Sequence, residues 1–335
     1  MKAPYFSVVS AAYNQAPFVT PMLDSVAGQT RRDAELIVVD DGSTDDTPAR
    51  LERWCAGPGP ARLAAVATLR IPNAGQSGAL ERGFGLARGE WICLLDADDV
   101  FLPHKLERLG EAIAAAPDAG MIVHPMLLVD ERGRRTGEMR PKAARLVGGD
   151  LRSRVRHDAR VAVPGTSAIA IRADVLRAML PMPTRAYKTM ADAYLPLAAS
   201  LLAPVAVIAE PLAEYRMHGA GAHLASLRSP DGLRRWLEIQ ALIARHLGIP
   251  SAMARNVTFA RNGFALTKLT GSWGAGLARV PRLAALTLAD RAMPPVRRLA
   301  LAALWTFMAC APRPLFERCW DRYLVEATGW SRVAQ

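Results

Sequence analysis

A chain of 335 residues with 51% hydrophobic and 22% charged side chains has the composition of a packed globular protein, which excludes a disordered or fibrous chain. The formal net charge of +11 is unevenly distributed, because residues 1–120 hold 11 basic and 16 acidic side chains whereas residues 121–335 hold 31 and 15. We expect the basic part to face something anionic, such as a membrane, a phosphate-bearing substrate or nucleic acid.

The four cysteines show neither the CxxC spacing of a zinc site nor the pattern of a disulfide framework. Strand-like sequence begins by Phe6, which leaves too few residues for a signal peptide. Both features predict a protein of the reducing cytoplasm.

Strand-like and helix-like segments alternate over the first hundred residues. Four apolar, β-rich runs predict strands: YFSVVSAAYN, ELIVVDD, ARLAAVATLRI and EWICLLDADD. Between them, PFVTPMLDSVAGQT, DDTPARLERWC and SGALERGFGLARG have the apolar spacing of helices. This rhythm indicates an α/β fold with a mostly parallel sheet that is flanked by helices.

Polar clusters follow three of these strands, at Ser10–Asn14, Asp40–Ser43 and Asp96–Asp99. Ligands of open α/β sheets bind beyond the carboxyl ends of the strands, so we expect the three clusters to meet at one rim. Asp40 and Asp41 could accept hydrogen bonds from a pyrimidine base or a ribose there. Ordinary turn chemistry is the alternative for these two residues.

The acidic cluster Asp96, Asp98 and Asp99 is costly unless something positive neutralises it. Basic side chains or a helix N-terminus would do so, and Asp99 could simply cap the helix that follows. An Asp-x-Asp pair at a strand end can also hold a divalent cation through hard oxygen ligands. The spacing therefore favours a metal site at this rim.

The later segments are less regular. GMIVHPMLLVD predicts a strand, VPGTSAIAIRADVLRAM a strand followed by a helix, KTMADAYLPLAASLL a helix, and VAVIAEPLAEYRMHG strands. Beyond about residue 225 the pattern is helical. The apolar segment Leu299–Ala311 is shorter than the ~20 residues that span a bilayer, and it is flanked by arginines. Two readings of this segment remain open, a helix half-sunk in a membrane interface and a helix of the core.

Taken in order, FSVVSAAYNQAPFVTPMLDSVAGQT, ELIVVDDGSTDDT and NAGQSGALERGFGLARGEWICLLDADD resemble a family 2 glycosyltransferase. The resemblance is dense over residues 5–106, thinner from there to about 220, and absent after that. It implies a GT-A (Rossmann-like) fold and a nucleotide-sugar-binding catalytic domain at 1–220. The helical pattern and the basic charge predict a separate C-terminal region at 221–335, for contact with the acceptor or a membrane surface. The implied activity is inverting transfer of a sugar from a nucleotide-diphosphate sugar.

The resemblance also implies roles in donor binding. Tyr13 would lie against the base, Asp40 and Asp41 would read the base, and Asp96 would approach the ribose. Asp98 would bind Mn²⁺ or Mg²⁺. The NAGQSGA loop would line the donor site through Asn73 and Gly75.

For catalysis, the resemblance places the general base at Asp192, in YKTMADAYLPL. The preceding residue is Ala191, where many relatives have an acid. In EYRMHG, Arg216 would offset the charge of the departing diphosphate, and His218 would contact phosphate or metal.

The expected donor is a UDP- or dTDP-sugar, and the expected acceptor is a glycan or a lipid-linked sugar of cell-envelope polysaccharide biosynthesis. The basic C-terminal region favours peripheral contact with anionic lipids at the inner face of the cell membrane. A sugar nucleotidyltransferase is one alternative, but SAAYNQAPF lacks the Gly-rich loop of that class. The other is a non-catalytic protein that binds nucleotide sugars or polyanions. Nucleic acid is not expected, because the basic part contains no recognised nucleic-acid motif.

Overall fold

The chain forms two compact units in a computed structural model. The first unit comprises Met1–Val155 and Val161–Met217, and the second comprises Arg156–Arg160 and His218–Gln335. The structure describes residues 4–143, 146–159, 161, 164–184, 188–189, 191–217, 227–271, 276–290 and 293–328, with side chains of the last helix as far as residue 324.

The strands of the described residues all belong to the first unit. In chain order they are β1 (Phe6–Ala12), β2 (Ala34–Asp40), β3 (Ala65–Arg70), β4 (Trp91–Leu94), β5 (Val100–Phe101), β6 (Met121–Val123), β7 (Met126–Val129), β8 (Arg135–Arg140), β9 (Ile169–Arg172), β10 (Val205–Val207) and β11 (Ala213–Arg216).

Seven of these strands form the main sheet, in the order β10-β6-β9-β4-β1-β2-β3. The pairs β1–β2, β1–β4, β2–β3 and β6–β10 are parallel, whereas β9 runs antiparallel to both of its neighbours. Every residue of β2 and β4 is buried, as their continuous apolar sequence predicts for inner strands.

Helices cover this sheet. They are α1 (Val19–Ala27), α2 (Thr47–Cys55), α3 (Gly75–Leu86), α4 (Lys105–Ala115), α6 (Ala173–Ala178) and α7 (Ala191–Leu202). Helix α5 (Arg152–Asp158) follows β8 along the chain and has residues in both units. Phe6, Leu36 and Trp91 of the sheet pack with Met22 and Leu106 of the helices in one buried cluster. The mostly parallel α/β sheet predicted from the sequence is confirmed.

The segment GMIVHPMLLVD differs from its prediction as one strand. It breaks at His124 and Pro125 into β6, which joins the main sheet, and β7, which joins a smaller sheet of order β5-β11-β7-β8. Proline at the break cannot donate a ladder hydrogen bond, which is a physical reason for the strand to end there.

The described part of the second unit is helical. It contains α8 (Pro230–His246), α9 (Pro250–Met253), α10 (Val257–Thr270), α11 (Val280–Ala289), α12 (Pro295–Cys310) and α13 (Arg313–Thr328). Its core includes Phe264, Trp305, Phe316 and Trp320, all of them buried.

Helix α12 contains most of the apolar segment Leu299–Ala311. Trp305 and Met308 are buried in the core of the second unit, whereas Leu299 and Phe307 are exposed. The core-helix interpretation therefore holds for one face of α12 only. None of the helices among the described residues combines the length and the hydropathy needed to cross a membrane.

Candidate active site

The carboxyl ends of β1 and β2 are tied together by side chains. The backbone N–H of Asn14 donates to Ser43 Oγ at 2.9 Å, and the N–H of Thr44 donates to Asn14 Oδ1 at 2.8 Å. Asn14 has φ +53°, a left-handed conformation that asparagine tolerates. The neighbouring Tyr13 is 47% exposed, so its ring is open to a ligand at this rim.

Asp40 and Asp41 are both buried at the end of β2. Asp40 Oδ1 accepts a hydrogen bond from the N–H of Ser43 at 3.0 Å. Arg70 Nε lies 3.2 Å from Asp40 Oδ2, an ion pair without hydrogen-bond geometry.

The two carboxylate oxygens of Asp41 accept the backbone N–H groups of Ala74 and Gly75, at 2.6 and 2.8 Å. These N–H groups belong to the start of α3, where a helix has unsatisfied donors and favours negative charge. Asn73 Nδ2 adds a hydrogen bond to the carbonyl of Asp41 at 3.2 Å. Asp41 therefore joins β2 to the loop that was predicted to line the donor site.

The conformation and the surroundings of Gly75 leave no room for a side chain at this position. Its φ is +78°, and a Cβ at this position would lie 2.4 Å from the carbonyl oxygen of Lys188. Next along the chain, Gln76 Nε2 donates to Asp96 Oδ1 at 2.8 Å. The start of α3 thus reaches from Asp41 to the acidic cluster.

The acidic cluster lies directly beyond β4. One carboxylate oxygen from each of Asp96, Asp98 and Asp99 lies within 4.8 Å of the other two. Asp99 is buried, and Asp96 and Asp98 are half-buried. The cap residue of α4 is His104, so Asp99 does not cap the following helix and that alternative is wrong.

Burial and mutual repulsion perturb two of these carboxyl groups. Burial, followed by the charges of Asp98 and Asp192, raises the pKa of Asp96 to about 7, against the opposing side-chain hydrogen bonds of Thr166 and Gln76. Burial and the charges of Asp98 and Asp96 raise the pKa of Asp99 well above its usual range. A group of carboxylates with raised pKa values at a strand end is typical of a functional site.

Ser167 fixes two members of the cluster. Its hydroxyl donates to Asp99 Oδ2 at 2.6 Å, and its Oγ accepts the N–H of Asp96 at 2.9 Å. The carbonyl of Ser167 accepts a 2.6 Å hydrogen bond from Nζ of the fully buried Lys105. Because β9 is antiparallel to β4, the residues just before β9 lie at the end of β4, which brings Ser167 to this rim.

Arg216, at the end of β11, lies beside the cluster. Its backbone N–H donates to Asp99 Oδ1 at 3.0 Å, and its Nε donates to the carbonyl of Asp98 at 3.1 Å. The guanidinium also lies 5.2 Å from the ring centroid of Phe18. A cation is therefore held next to the acidic residues.

Asp192 lies in the first turn of α7 and is half-buried. Its charge contributes to the raised pKa of Asp96, so the two carboxyl groups belong to the same region. Arg140, at the end of β8, is its neighbour: burial lowers the pKa of Arg140, and the charges of Tyr215 and Asp192 raise it.

The structure thus brings the predicted residues of the first unit to one rim, and it leaves their roles as predictions. His218 lies outside the described residues. Sequence reasoning missed Gln76, Lys105, Arg140 and Ser167. Only Gln76 had a signal, because it lies inside the NAGQSGA loop.

Comparison with known proteins identifies the family of the chain. The family profile of glycosyl transferase family 2 matches residues 7–177, slightly more than half of the chain. The chain belongs to glycosyl transferase family 2. The match contains the acidic cluster, Asp41, Gly75 and Ser167, and it ends before Asp192.

Two relatives illustrate the range of similarity. An uncharacterised glycosyltransferase of Nostoc sp. is 31% identical over 224 residues, which cover 66% of this chain and 67% of the relative. The succinoglycan biosynthesis protein ExoO of Rhizobium meliloti is 41% identical over 115 residues. This second match covers 34% of the present chain and 31% of ExoO.

Two solved structures share the architecture over almost the whole chain. The Staphylococcus aureus TarS fragment 1–349 has a TM-score of 0.59 at 18% identity, covering 98% of this chain and 93% of the fragment. The mannosyltransferase PcManGT of Pyrobaculum calidifontis has a TM-score of 0.54 at 18% identity, covering 99% and 89%. At such identities the likeness concerns the fold, and it agrees with the GT-A fold expected from the sequence.

Proposed function

We propose that this glycosyltransferase moves a sugar, with inversion, from a UDP- or dTDP-sugar to a hydroxyl group of a glycan or lipid-linked acceptor. The observation that carries the proposal is the convergence of Asp96, Asp98 and Asp99 at the end of β4, where the charge of Asp192 also acts. The three carboxylates could bind a cation, the cation could bind the diphosphate, and Asp192 would be the candidate base beside them.

The acidic cluster fits a divalent cation. Carboxylate oxygens are the hard ligands that Mn²⁺ and Mg²⁺ take, and those of the cluster lie within 4.8 Å of one another. Asp98 would hold the ion, with Asp96 and Asp99 beside it, and the bound ion would offset negative charge that develops on the diphosphate. Burial and, after it, mutual repulsion raise the pKa values of Asp96 and Asp99, and a bound cation would relieve the repulsion.

Asp192 would act as the general base. It would take the proton of the acceptor hydroxyl while that oxygen bonds to the anomeric carbon and the bond from this carbon to the diphosphate breaks. Arg216, which the carbonyl of Asp98 holds in place, would offset the charge of the leaving group. His218 would assist there by contact with phosphate or metal.

Tyr13, Asp40 and Asp41 would surround the base, with Asn73 and Gly75 beside the sugar-nucleotide. The choice of a pyrimidine nucleotide is supported by TarS, which has been solved with UDP and with UDP-GlcNAc. PcManGT has been solved with GDP-Man and Mn²⁺, which supports a metal-dependent site and makes GDP a necessary comparison.

The acceptor proposal draws on relatives named for polysaccharide and glycolipid pathways, ExoO and the PGL/p-HBAD biosynthesis glycosyltransferase of Mycobacterium tuberculosis. We place the reaction in cell-surface polysaccharide biosynthesis, at the cytoplasmic face of the cell membrane with peripheral attachment. The net charge of +10 over residues 221–335, from 16 basic and 6 acidic residues, supports this location.

Thermal unfolding with nucleotides tests the donor site. We would add UDP, dTDP, GDP or CDP in turn, with and without Mn²⁺, to wild type and Asp98→Ala. A ligand at 100 times its Kd stabilises a fold by about 2.7 kcal/mol, which gives a clear rise in Tm. We expect a metal-dependent rise for UDP or dTDP that Asp98→Ala abolishes and that Asp118→Ala, an exposed carboxylate of the same unit, leaves intact.

The variant Asp192→Asn distinguishes binding of the nucleotide from transfer of the sugar. It should retain the rise in Tm and lose the release of nucleoside diphosphate from a panel of UDP- and dTDP-sugars. If no nucleotide raises the Tm with any metal, the proposed donor site is wrong.

A further inference from the structure

The outward face of α12 carries a continuous apolar row. Val296, Leu299 and Phe307 are 79%, 64% and 53% exposed, and Ala300, Ala303 and Cys310 are exposed as well. Their spacing of three or four residues places all six on one side of the helix. We call this set the outer face of α12.

The opposite side of the same helix is already used. Trp305, Met308 and Ala309 pack into the core of the second unit, and the Trp305 indole N–H donates to Thr287 Oγ1 at 3.1 Å. The helix therefore already has one face in the core, and the outer face is a second apolar surface on its other side. Among the described residues its three large side chains remain open to solvent.

The charges on α12 itself have one sign, since its charged residues are Arg297 and Arg298. Between Asp290 and Glu317 the sequence contains four arginines and no carboxylate. Arg297 lies at the start of α12 and is exposed, and Arg318 on α13 is exposed too. Within the described part of the chain, neither of these two guanidiniums is paired with a carboxylate.

We propose that the outer face of α12 docks on the surface of an anionic lipid bilayer, with the helix lying flat in the headgroup region. An apolar row on a helix whose charged residues are arginines is the pattern of an interfacial helix, in which the row enters the acyl boundary and the cations meet lipid phosphates. The 16 residues of α12 extend about 24 Å, less than the ~30 Å of a hydrocarbon core, so the helix suits a position along the surface.

Charge argues against a second copy of the chain as the occupant. Pairing two outer faces would bring the arginines of one copy towards those of the other, with no carboxylate between residues 290 and 317 to offset them. Anionic lipid offers the complementary charge. The docking stands on this surface alone, and only its meaning for catalysis, access to a lipid-linked acceptor, rests on the proposed function.

Sedimentation with vesicles tests the docking, using the full chain without nucleotide or acceptor. We expect binding at low salt to vesicles of phosphatidylcholine with phosphatidylglycerol, and much weaker binding to phosphatidylcholine alone. The double variant Leu299→Gln/Phe307→Gln should lower the partition coefficient at least about tenfold, because each side chain loses favourable burial. Arg297→Gln and Arg318→Gln should each lower it about fivefold.

The matched control is Leu86→Gln/Leu202→Gln, which makes the same kind of change at leucines of the first unit that are 44% and 47% exposed. It should bind as wild type does. All of these side chains are exposed, and an unchanged Tm would verify that each variant folds.

Absence of wild-type binding at low salt, or equal binding to the two kinds of vesicle, would overturn the proposal. So would a dimer that Leu299→Gln/Phe307→Gln converts to a monomer, measured by light scattering after size exclusion. The nucleotide-dependent rise in Tm reports separately on the donor site. Loss of vesicle binding with that rise intact would count against the docking alone.

Discussion

At the scale of single residues, Ser167 connects the acidic cluster to the rest of the fold. Its one hydroxyl serves both Asp96 and Asp99, and its carbonyl is held by Lys105. The Lys105 ammonium also lies 3.7 Å from the ring centroid of Phe101. Lys105 is close enough to Asp99 for their charges to interact, and its hydrogen bond fixes Ser167 from inside the fold.

Lys105 should give the stability of the protein a measurable dependence on pH. Burial lowers the pKa of Lys105 to about 7 from 10.5, so the folded chain holds fewer protons than the unfolded chain above pH 7. The free energy of unfolding should therefore rise with pH from about 7 to about 9. Above that, the Cys93 thiol acts in the opposite direction, because burial raises its pKa from 9.0 to about 12.

Lys105→Met should flatten this rise, measured by urea unfolding at a series of pH values. Lys142→Met, which changes an exposed lysine of the same unit, should keep it. Equal slopes for wild type and Lys105→Met would contradict the assignment.

Asp96 should produce a slope of the other sign at lower pH. Its pKa of about 7 lies above the ordinary 3.8, so the folded chain holds the extra proton between these values. Without divalent cations, the contribution of Asp96 to stability should fall as pH rises from about 4 to about 7, by an amount on the order of a few kcal/mol. The buried His124, whose pKa is lowered well below its usual value by burial and by the charge of Lys105, acts in the opposite direction, so the comparison with Asp96→Asn isolates the slope due to Asp96.

Asp96→Asn should reduce this fall without abolishing it, because the raised pKa of Asp99 acts in the same direction. Asp118→Asn is the matched control. Calorimetric scans in the presence of a chelator would measure the effect, and a slope that Asp96→Asn leaves unchanged would show that Asp96 titrates normally.

At the scale of elements, the start of α3 carries the most restrictive backbone of the site. Gly75→Ala forces a side chain into a left-handed conformation and against Lys188. We expect it to destabilise the fold by about 1–3 kcal/mol, and to weaken the nucleotide-dependent rise in Tm.

Gly85→Ala, in the same helix, is the control. A Cβ there meets nothing within 4 Å, so the substitution should be neutral or stabilise by up to about 1 kcal/mol. Similar losses for the two variants would indicate a general sensitivity of α3, and would contradict the special role of Gly75.

The elements also show what local sequence can predict. The apolar runs of β1 and β2 and the helical spacing of α3 are local patterns, so these elements can be predicted from short stretches of sequence. The same holds for the polar residues at the strand ends, at Asp41 and Asp96. The antiparallel insertion of β9 depends on pairing with strands that are distant along the chain, which periodicity does not reveal. Ser167 was missed for that reason.

Lys105 and Arg140 were missed for a different reason. Each is one basic residue in an otherwise ordinary segment, and its significance comes from burial and from the charges around it. The GT-A resemblance, in contrast, rested on several motifs in a fixed order, and the family match confirms it.

At the scale of the whole molecule, the proposed donor contacts are concentrated in the first unit. UDP with Mn²⁺ should therefore slow hydrogen exchange at the ends of β1, β2 and β4 and at the start of α3. Exchange in α8 to α13 should change little. Mass spectrometry of peptides would measure this, and protection confined to the second unit would contradict the proposed site.

The antiparallel course of β9 also has a consequence for engineering. Its register pairs Ile92 with Ile171 and Cys93 with Ala170, and this pairing determines which residue stands beneath the carboxylates. A slip by one position would offer Ala168 or Thr166 in place of Ser167. Insertions or deletions just upstream of β9 would therefore remove the hydrogen bonds of Ser167 to Asp96 and Asp99 while every acidic residue stays in the sequence. A homologue could thus be inactive although it retains all of these aspartates.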